Sequence, residues 1–164
     1  MVRTRTSRSL VVAALAACAV AVGCAPRVSD ETPAGALQLF LAAMGESEHD
    51  GAALERAYRL LAPESRARLR ARAELASSLA HRHFEPWEMM VRGRYGLRFE
   101  PRRQGGFVER IEGDRATVKV IGDGPRERAE VPMAREGRAW RVVLAVPDTE
   151  RGGSRPAGAT VSPP

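Results

Sequence analysis

The spacing of apolar residues changes once along this chain, and that change restricts the fold more than any other feature. As far as about residue 83 the apolar positions recur every three to four residues, the period of an α-helix packed on one side. Leu37, Phe40, Leu41 and Met44 follow Thr32-Pro33, a threonine able to cap a helix and a proline suited to its first turn. Gly45 to Gly51 breaks that pattern. A second helix from about Ala52 aligns Leu54, Tyr58 and Leu61, with Ala57 beside them. Pro63 ends it and opens a third, predicted over 63–83, with Glu64 in its first turn where the helix dipole favours a carboxylate. Its inner line is read as Leu69, Ala73, Ala76 and Ala80, with Leu75 and Leu79 adjacent. Pro86 is placed to begin a short fourth helix, after which Gly93, Gly96, Pro101, Gly105 and Gly106 interrupt regular structure.

From Phe107 the period is two, as in strands with one face buried. Ala116, Val118 and Val120 form one set, Ala129, Val131 and Met133 a second, and Trp140, Val142, Leu144 and Val146 a third. Glu112-Gly113-Asp114, Gly122 to Pro125 and Glu136-Gly137 are turn sequences, and joints this short make the pairing antiparallel. Pro132 cannot donate to a ladder, which places its strand at an edge or at a bulge. Helices followed by a run of strands give an α+β arrangement, with N-terminal helices on one face of an antiparallel sheet.

The first 24 residues carry a different message. Arg3, Arg5 and Arg8 precede an apolar run, Leu10 to Val22, and small residues follow. That is the pattern of a secretory leader, and about 13 apolar residues are too few to span a bilayer, which needs about 20. Ala21-Val22-Gly23-Cys24 resembles the lipobox of bacterial lipoproteins, with alanine where that family prefers leucine. The resemblance implies cleavage before Cys24 and attachment of diacylglycerol to its sulfur, for three acyl chains in all. Two or more chains hold a protein on a membrane durably. Ala25, rather than Asp, follows the cysteine, which in the Gram-negative lipoproteins that this stretch resembles implies the periplasmic face of the outer membrane. The expected organisation is a leader at 1–23, a tether at 24–32, a folded domain at 33–147 and a tail at 148–164 too poor in apolar residues to fold.

Composition narrows the function classes. The net charge of +6 falls to about +3 without the three leader arginines, and Lys119 is the one lysine, so no nucleic-acid partner is expected. Cys18 and Cys24 are the only cysteines, so a processed chain has no internal disulfide, thiolate nucleophile or cysteine-bound metal. His81 and His83 stand two apart, and His49 lies in a polar loop, so neither a metal nor a cofactor is expected.

The stretches TPAGALQLFLAAM, AYRLLAPESRARL and GDRATVKV, with the closing hairpin from Met133 to Trp140, resemble bacterial lipoproteins of the NTF2-like superfamily. That resemblance spans about residues 32–146. It implies a curved sheet wrapping helices into a cone with a pocket at the wide end. Tyr58, Trp87 and Trp140 are the candidate pocket residues, and Arg66, Arg68, Arg70 and Arg72 a candidate contact for an anionic surface. The superfamily includes isomerases and dehydratases whose chemistry needs an inward carboxylate. None is evident here: Asp114 and Asp123 lie in turns, and Glu109 and Glu130 alternate outward if the valines face in. The expected function is therefore a non-catalytic, lipid-anchored envelope module that binds a protein or small ligand. A pocket enzyme of isomerase or dehydratase type, and a binder of anionic envelope polymer through the arginine helix, are the alternatives.

Overall fold

The first helix, α1 (Pro33–Glu46), starts where its residues dictate: Thr32 accepts the amide of Gly35 at 3.0 Å, and Pro33 occupies the first turn. The computed structural model describes residues 28–90 and 97–146. The leader at 1–23, Cys24 and the tail at 148–164 lie outside them. Two further helices follow, α2 (Gly51–Arg59) and α3 (Pro63–Ala80), then a single 3₁₀ turn, Pro86–Met89. Four strands complete the fold: β1 (Phe107–Glu112), β2 (Arg115–Ile121), β3 (Arg128–Glu136) and β4 (Ala139–Val142). They pair antiparallel in the order β1-β2-β3-β4. The α+β expectation is met in that form.

Register follows from the turns. Glu112 faces Arg115 and Glu136 faces Ala139, so both hairpins close through two residues, led by Gly113 and Gly137 at φ 60° and 64°. Those positive angles are the reason glycine stands there. Pro132 lies opposite Thr117 in β3, which has a neighbour on each side. That corrects the expectation of an edge strand: the Pro132 carbonyl accepts the amide of Val143 at 2.9 Å, and, having no N–H, Pro132 gives no bond back, so the proline stands where the pairing with β4 ends.

The core lies between α1 and the sheet. Leu37, Phe40 and Met44 pack with Val118, Val120, Met133, Trp140 and Val142. Full burial of a Leu or Phe contributes about 1.5–3 kcal/mol, so these residues dominate the stability of the domain. The α2–α3 junction closes the far side. Ala62 donates to Val142 at 2.8 Å and Val142 to Leu60 at 2.9 Å, covering the open edge of β4. Beneath it the buried Ser65 hydroxyl accepts the Leu144 amide at 2.9 Å.

Several local expectations change. In α2 the buried line is Ala53 and Ala57, with Leu54 and Tyr58 half-buried beside it. In α3 burial stops at Ala73. Ala76 is half-buried, Ala80 is exposed, and Leu75 and Leu79 are 47% and 74% exposed, because among the described residues no strand packs closely on α3. The helix ends at Ala80 and His81 adopts a left-handed conformation at φ 53°. The domain also starts earlier than Pro33: Asp30 accepts the Trp140 amide at 2.7 Å through its carbonyl, and its carboxylate pairs with Arg141 at 2.6 Å. The last residues of the expected tether are thus fastened to β4.

Candidate functional site

The three candidate pocket aromatics line neither of the two cavities described below. Tyr58 and Trp87 meet edge to face with ring centres 6.1 Å apart, and the Tyr58 hydroxyl donates to the Arg66 carbonyl at 3.4 Å. Trp140 is elsewhere, 3% exposed in the core, with the Arg135 guanidinium 5.6 Å from its ring. Packing gives each of the three a structural role.

The arginine helix does not present a single stripe either. Residues two apart on a helix diverge by about 200°, so Arg66 and Arg70 lie on one flank and Arg68 and Arg72 on another. Arg66 reaches Glu136 on β3, which also takes Arg141 at 2.9 Å, and Arg68 donates to the Val146 carbonyl at 3.4 Å. Glu64 meets Arg115 of β2 at 3.3 Å. Arg70 is exposed.

Glu109 overturns another expectation. It is opposite Val118, so it shares the inner face of the sheet with the buried valines instead of pointing out. Among the described strand residues it is the acid on that face. Its carboxylate accepts the amide of Ala34 at the start of α1, where the helix dipole favours negative charge. That position makes it a cap, not a base facing a cavity.

A groove appears where sequence patterning was least informative. One wall is α1 and the turn after it, with Gln38 and Leu41 on the helix and Glu48 in the turn; the other is the segment 97–101, with Leu97, Phe99 and Glu100. Phe107 of β1 and Met44 of α1 complete its lining, and the cavity measures about 380 Å³. A second cavity of about 490 Å³ shares Gln38, Pro101 and Phe107 and continues the groove past Arg102 and Arg103. The segment forming the second wall is pinned to the sheet. Pro101 bridges to Gly122, Arg102 donates to the Ile121 carbonyl at 2.9 Å, and Phe99 lies so close to Gly122 that a Cβ there would stand 2.7 Å from its ring. Glycine at 122 is what allows the aromatic wall to seat.

Positions 34, 38, 41 and 45 follow one helical stripe along this wall, and Glu48 continues it in the turn beyond the helix. From Ala34 to Gly45 the stripe runs about 17 Å at 1.5 Å per residue. Four charged residues line the two cavities: Glu48 and Glu100 the first, Arg102 and Arg103 the second. Arg102 pairs with Asp123 at 3.4 Å. Arg103, Glu48 and Glu100 have no ion-pair partner among the described residues. Midway, the half-buried Gln38 amide has no hydrogen-bond partner among them. The charge network at the α1–α2 turn leaves Glu48 out: Arg56 joins Glu46 at 2.6 Å and Asp50 at 3.0 Å. The Ala52 amide and then Arg56 hold the Asp50 carboxyl below its usual range, while Glu46 and Asp50 hold Arg56 above its own.

Among the described residues the groove is lined by no histidine, serine or cysteine, and no cluster of His, Cys, Asp and Glu could hold a metal ion. His83 meets Glu85 at 3.1 Å, and His81 caps α3. The groove offers apolar contact, an amide and opposed charges, which is the chemistry of binding. No helix among the described residues is long and apolar enough to cross a membrane. The chain matches no protein-family model, no curated protein and no solved structure.

Proposed function

We propose that this chain is a non-catalytic cell-envelope protein of NTF2-like type. It is held by lipid on Cys24 at the periplasmic face of the outer membrane, and it binds a ligand in the groove between α1 and residues 97–107. The observation that carries the binding role is the half-buried Gln38 amide, which sits in the groove with Leu41, Phe99 and Phe107 and has no partner among the described residues. A polar group that the fold leaves open beside apolar side chains in a groove is the usual form of a ligand contact. The lipid anchor is supported by the sequence from Arg3 to Cys24 alone. The NTF2-like assignment is supported by the order of elements, helices before a sheet ending in the Met133–Trp140 hairpin.

Photo-cross-linking in the native envelope tests the binding role. A photoreactive residue in place of Leu41 should yield a discrete adduct, and the same residue in place of the exposed Leu79 should not. Identical adducts, or none at position 41, would remove the groove from consideration. The anchor is tested separately. Cys24→Ala should leave the chain unprocessed or release it from the membrane fraction, and unchanged partitioning and mass would refute lipidation.

A further inference from the structure

We infer that one flank of α3 lies on an anionic lipid surface, with Leu75 and Leu79 among the headgroups and Arg68 and Arg72 beside their phosphates. This rests on the lipid at Cys24 and is independent of the groove. Among the described residues five large apolar side chains are exposed: Val28, Leu75, Leu79, Val108 and Ile111. Val108 and Ile111 stand on β1 with Glu109 and Glu112, and Val28 is followed by Asp30 and Glu31, so acids accompany all three. The pair on α3 has different company. Positions 68, 72, 75 and 79 share one side of the helix within about 60°, two arginines followed by two leucines. No acid stands among them, and Glu64, one turn before Arg68, is paired with Arg115 at 3.3 Å. Beyond the helix end the exposed Arg82 adds a third cation, its guanidinium 3.5 Å from the centre of the Phe84 ring. Exposed apolar side chains flanked by arginine are the pattern of a helix lying in a membrane interface.

Two observations choose a membrane as the occupant. The first is reach. Asp30 is fastened to Trp140 and Arg141 only six residues after Cys24, and six residues of chain span at most about 20 Å. A domain tethered that closely rests against the bilayer holding its lipid, and some part of its surface meets headgroups. The second is charge. A cation near an anionic surface favours docking about fivefold, so Arg68 and Arg72 together contribute about 30-fold, and salt weakens both. A second copy of the chain on this flank would set arginine against arginine. An apolar partner would cover the leucines and give the arginines nothing.

The test uses the full lipid-bearing chain reconstituted in vesicles of phosphatidylcholine, alone or with about 30% phosphatidylglycerol. With the leader removed and Cys24 occupied by lipid, Leu79→Cys or Arg70→Cys supplies a single thiol for a fluorophore. Lipids spin-labelled near the headgroup should quench the label at 79 when phosphatidylglycerol is present, and not the label at 70 on the opposite flank. In the Leu79→Cys chain, Arg68→Gln with Arg72→Gln should lower the ratio of docked to undocked domain about 30-fold. Arg68→Lys with Arg72→Lys should preserve docking, which separates charge from the bond Arg68 gives the Val146 carbonyl. Equal quenching at 79 and 70, or at 79 in both kinds of vesicle, would overturn the proposal. So would quenching that appears only after residues 148–164 are removed, since the tail would then be the occupant. In the native envelope a photoreactive residue at 79 should take a spread of lipids, without the discrete adduct expected at Leu41. A discrete protein adduct at 79, or a cross-link between two copies, would assign the flank to a protein and overturn the proposal. A chain that floats with the vesicles while 79 stays unquenched defeats the docking and leaves the anchor standing. A chain that does not float defeats the anchor, and the docking with it.

Discussion

Gly35→Ala and Gly45→Ala are the same substitution in the same helix, and the structure assigns them opposite signs. Inside a helix, glycine costs up to about 1 kcal/mol relative to alanine, because it surrenders more backbone entropy on folding. Helix propensity alone therefore predicts that both changes stabilise. At Gly45 nothing lies within 4 Å of an added Cβ, so the gain should be realised. At Gly35 the Cβ would stand 2.0 Å from the Ser29 carbonyl oxygen and 2.9 Å from the Thr32 hydroxyl that caps the helix. Backbone at that distance must move, and overpacking of this kind costs about 1–3 kcal/mol. The neighbouring Asp30 is also tied to Trp140 at 2.7 Å, so retreat of the segment risks a hydrogen bond of about 1 kcal/mol. Against a propensity gain of at most about 1 kcal/mol, the net for Gly35→Ala is a loss of about 1–3 kcal/mol. In a domain of this size each kcal/mol moves Tm by about 3–6 °C. Thermal unfolding followed by circular dichroism should show Tm falling for Gly35→Ala and rising slightly for Gly45→Ala. If both rise equally, residues 29–32 do not pack on α1, and the early start of the domain is refuted.

Ser65→Ala should cost about 1–3 kcal/mol, since it leaves the Leu144 amide without its buried acceptor at 2.9 Å; urea unfolding with a loss under about 0.5 kcal/mol would contradict that contact. Arg141→Met should cost a similar amount, because its side chain is only 18% exposed and it serves both Asp30 and Glu136; Arg70→Ala, on an exposed flank, should stay within about 0.5 kcal/mol. Asp50 gives a pH signature. Its carboxyl is lowered in the folded state, so the stability it contributes is present above its ordinary value of 3.8 and disappears as pH falls through the folded pKa. The Tm gap between the native chain and Asp50→Asn should accordingly shrink from pH 6 to pH 2.5, and a constant gap would refute the assignment.

The parts of the fold that were legible are those in which one residue's chemistry determines one local outcome. Thr32-Pro33 starts a helix because a hydroxyl can take a free amide and proline has none to lose. Gly113 and Gly137 mark two-residue hairpins because their φ angles are positive. The alternation of Ala116, Val118 and Val120 gives the buried face of β2 because the strand period is two. What failed depends on the partner element. Leu75 and Leu79 have the spacing of a buried flank, yet the helix to which they belong runs past the material that would cover them. The alternation of valines places Glu109 outward, but parity within β1 is set by its register with β2, and opposite Val118 it shares the inner face while staying exposed at the start of α1.

The groove shows the same limit in a sharper form. Its stripe at 34, 38, 41 and 45 has helical spacing, but in isolation it reads as the ragged border of a core-facing helix, with Leu41 counted among the buried residues. Nothing local separates a border against solvent from a border against another segment. The difference is made by Phe99, which comes from a stretch broken by Pro101 and Gly105 where neither period applies, and which is seated by Gly122 more than twenty residues further on. A glycine that reads as turn chemistry in Gly122 to Pro125 is thus required for a second reason, close approach of an aromatic wall. Gly122→Ala should therefore weaken ligand binding as well as the turn, because its Cβ would meet both Phe99 and Glu127. Phe99→Leu in the same background should restore part of the stability without restoring the aromatic surface. Recovery of Tm without recovery of cross-linking at Leu41 would separate the two roles of that glycine, and joint recovery would show that the ring itself contributes nothing to the site.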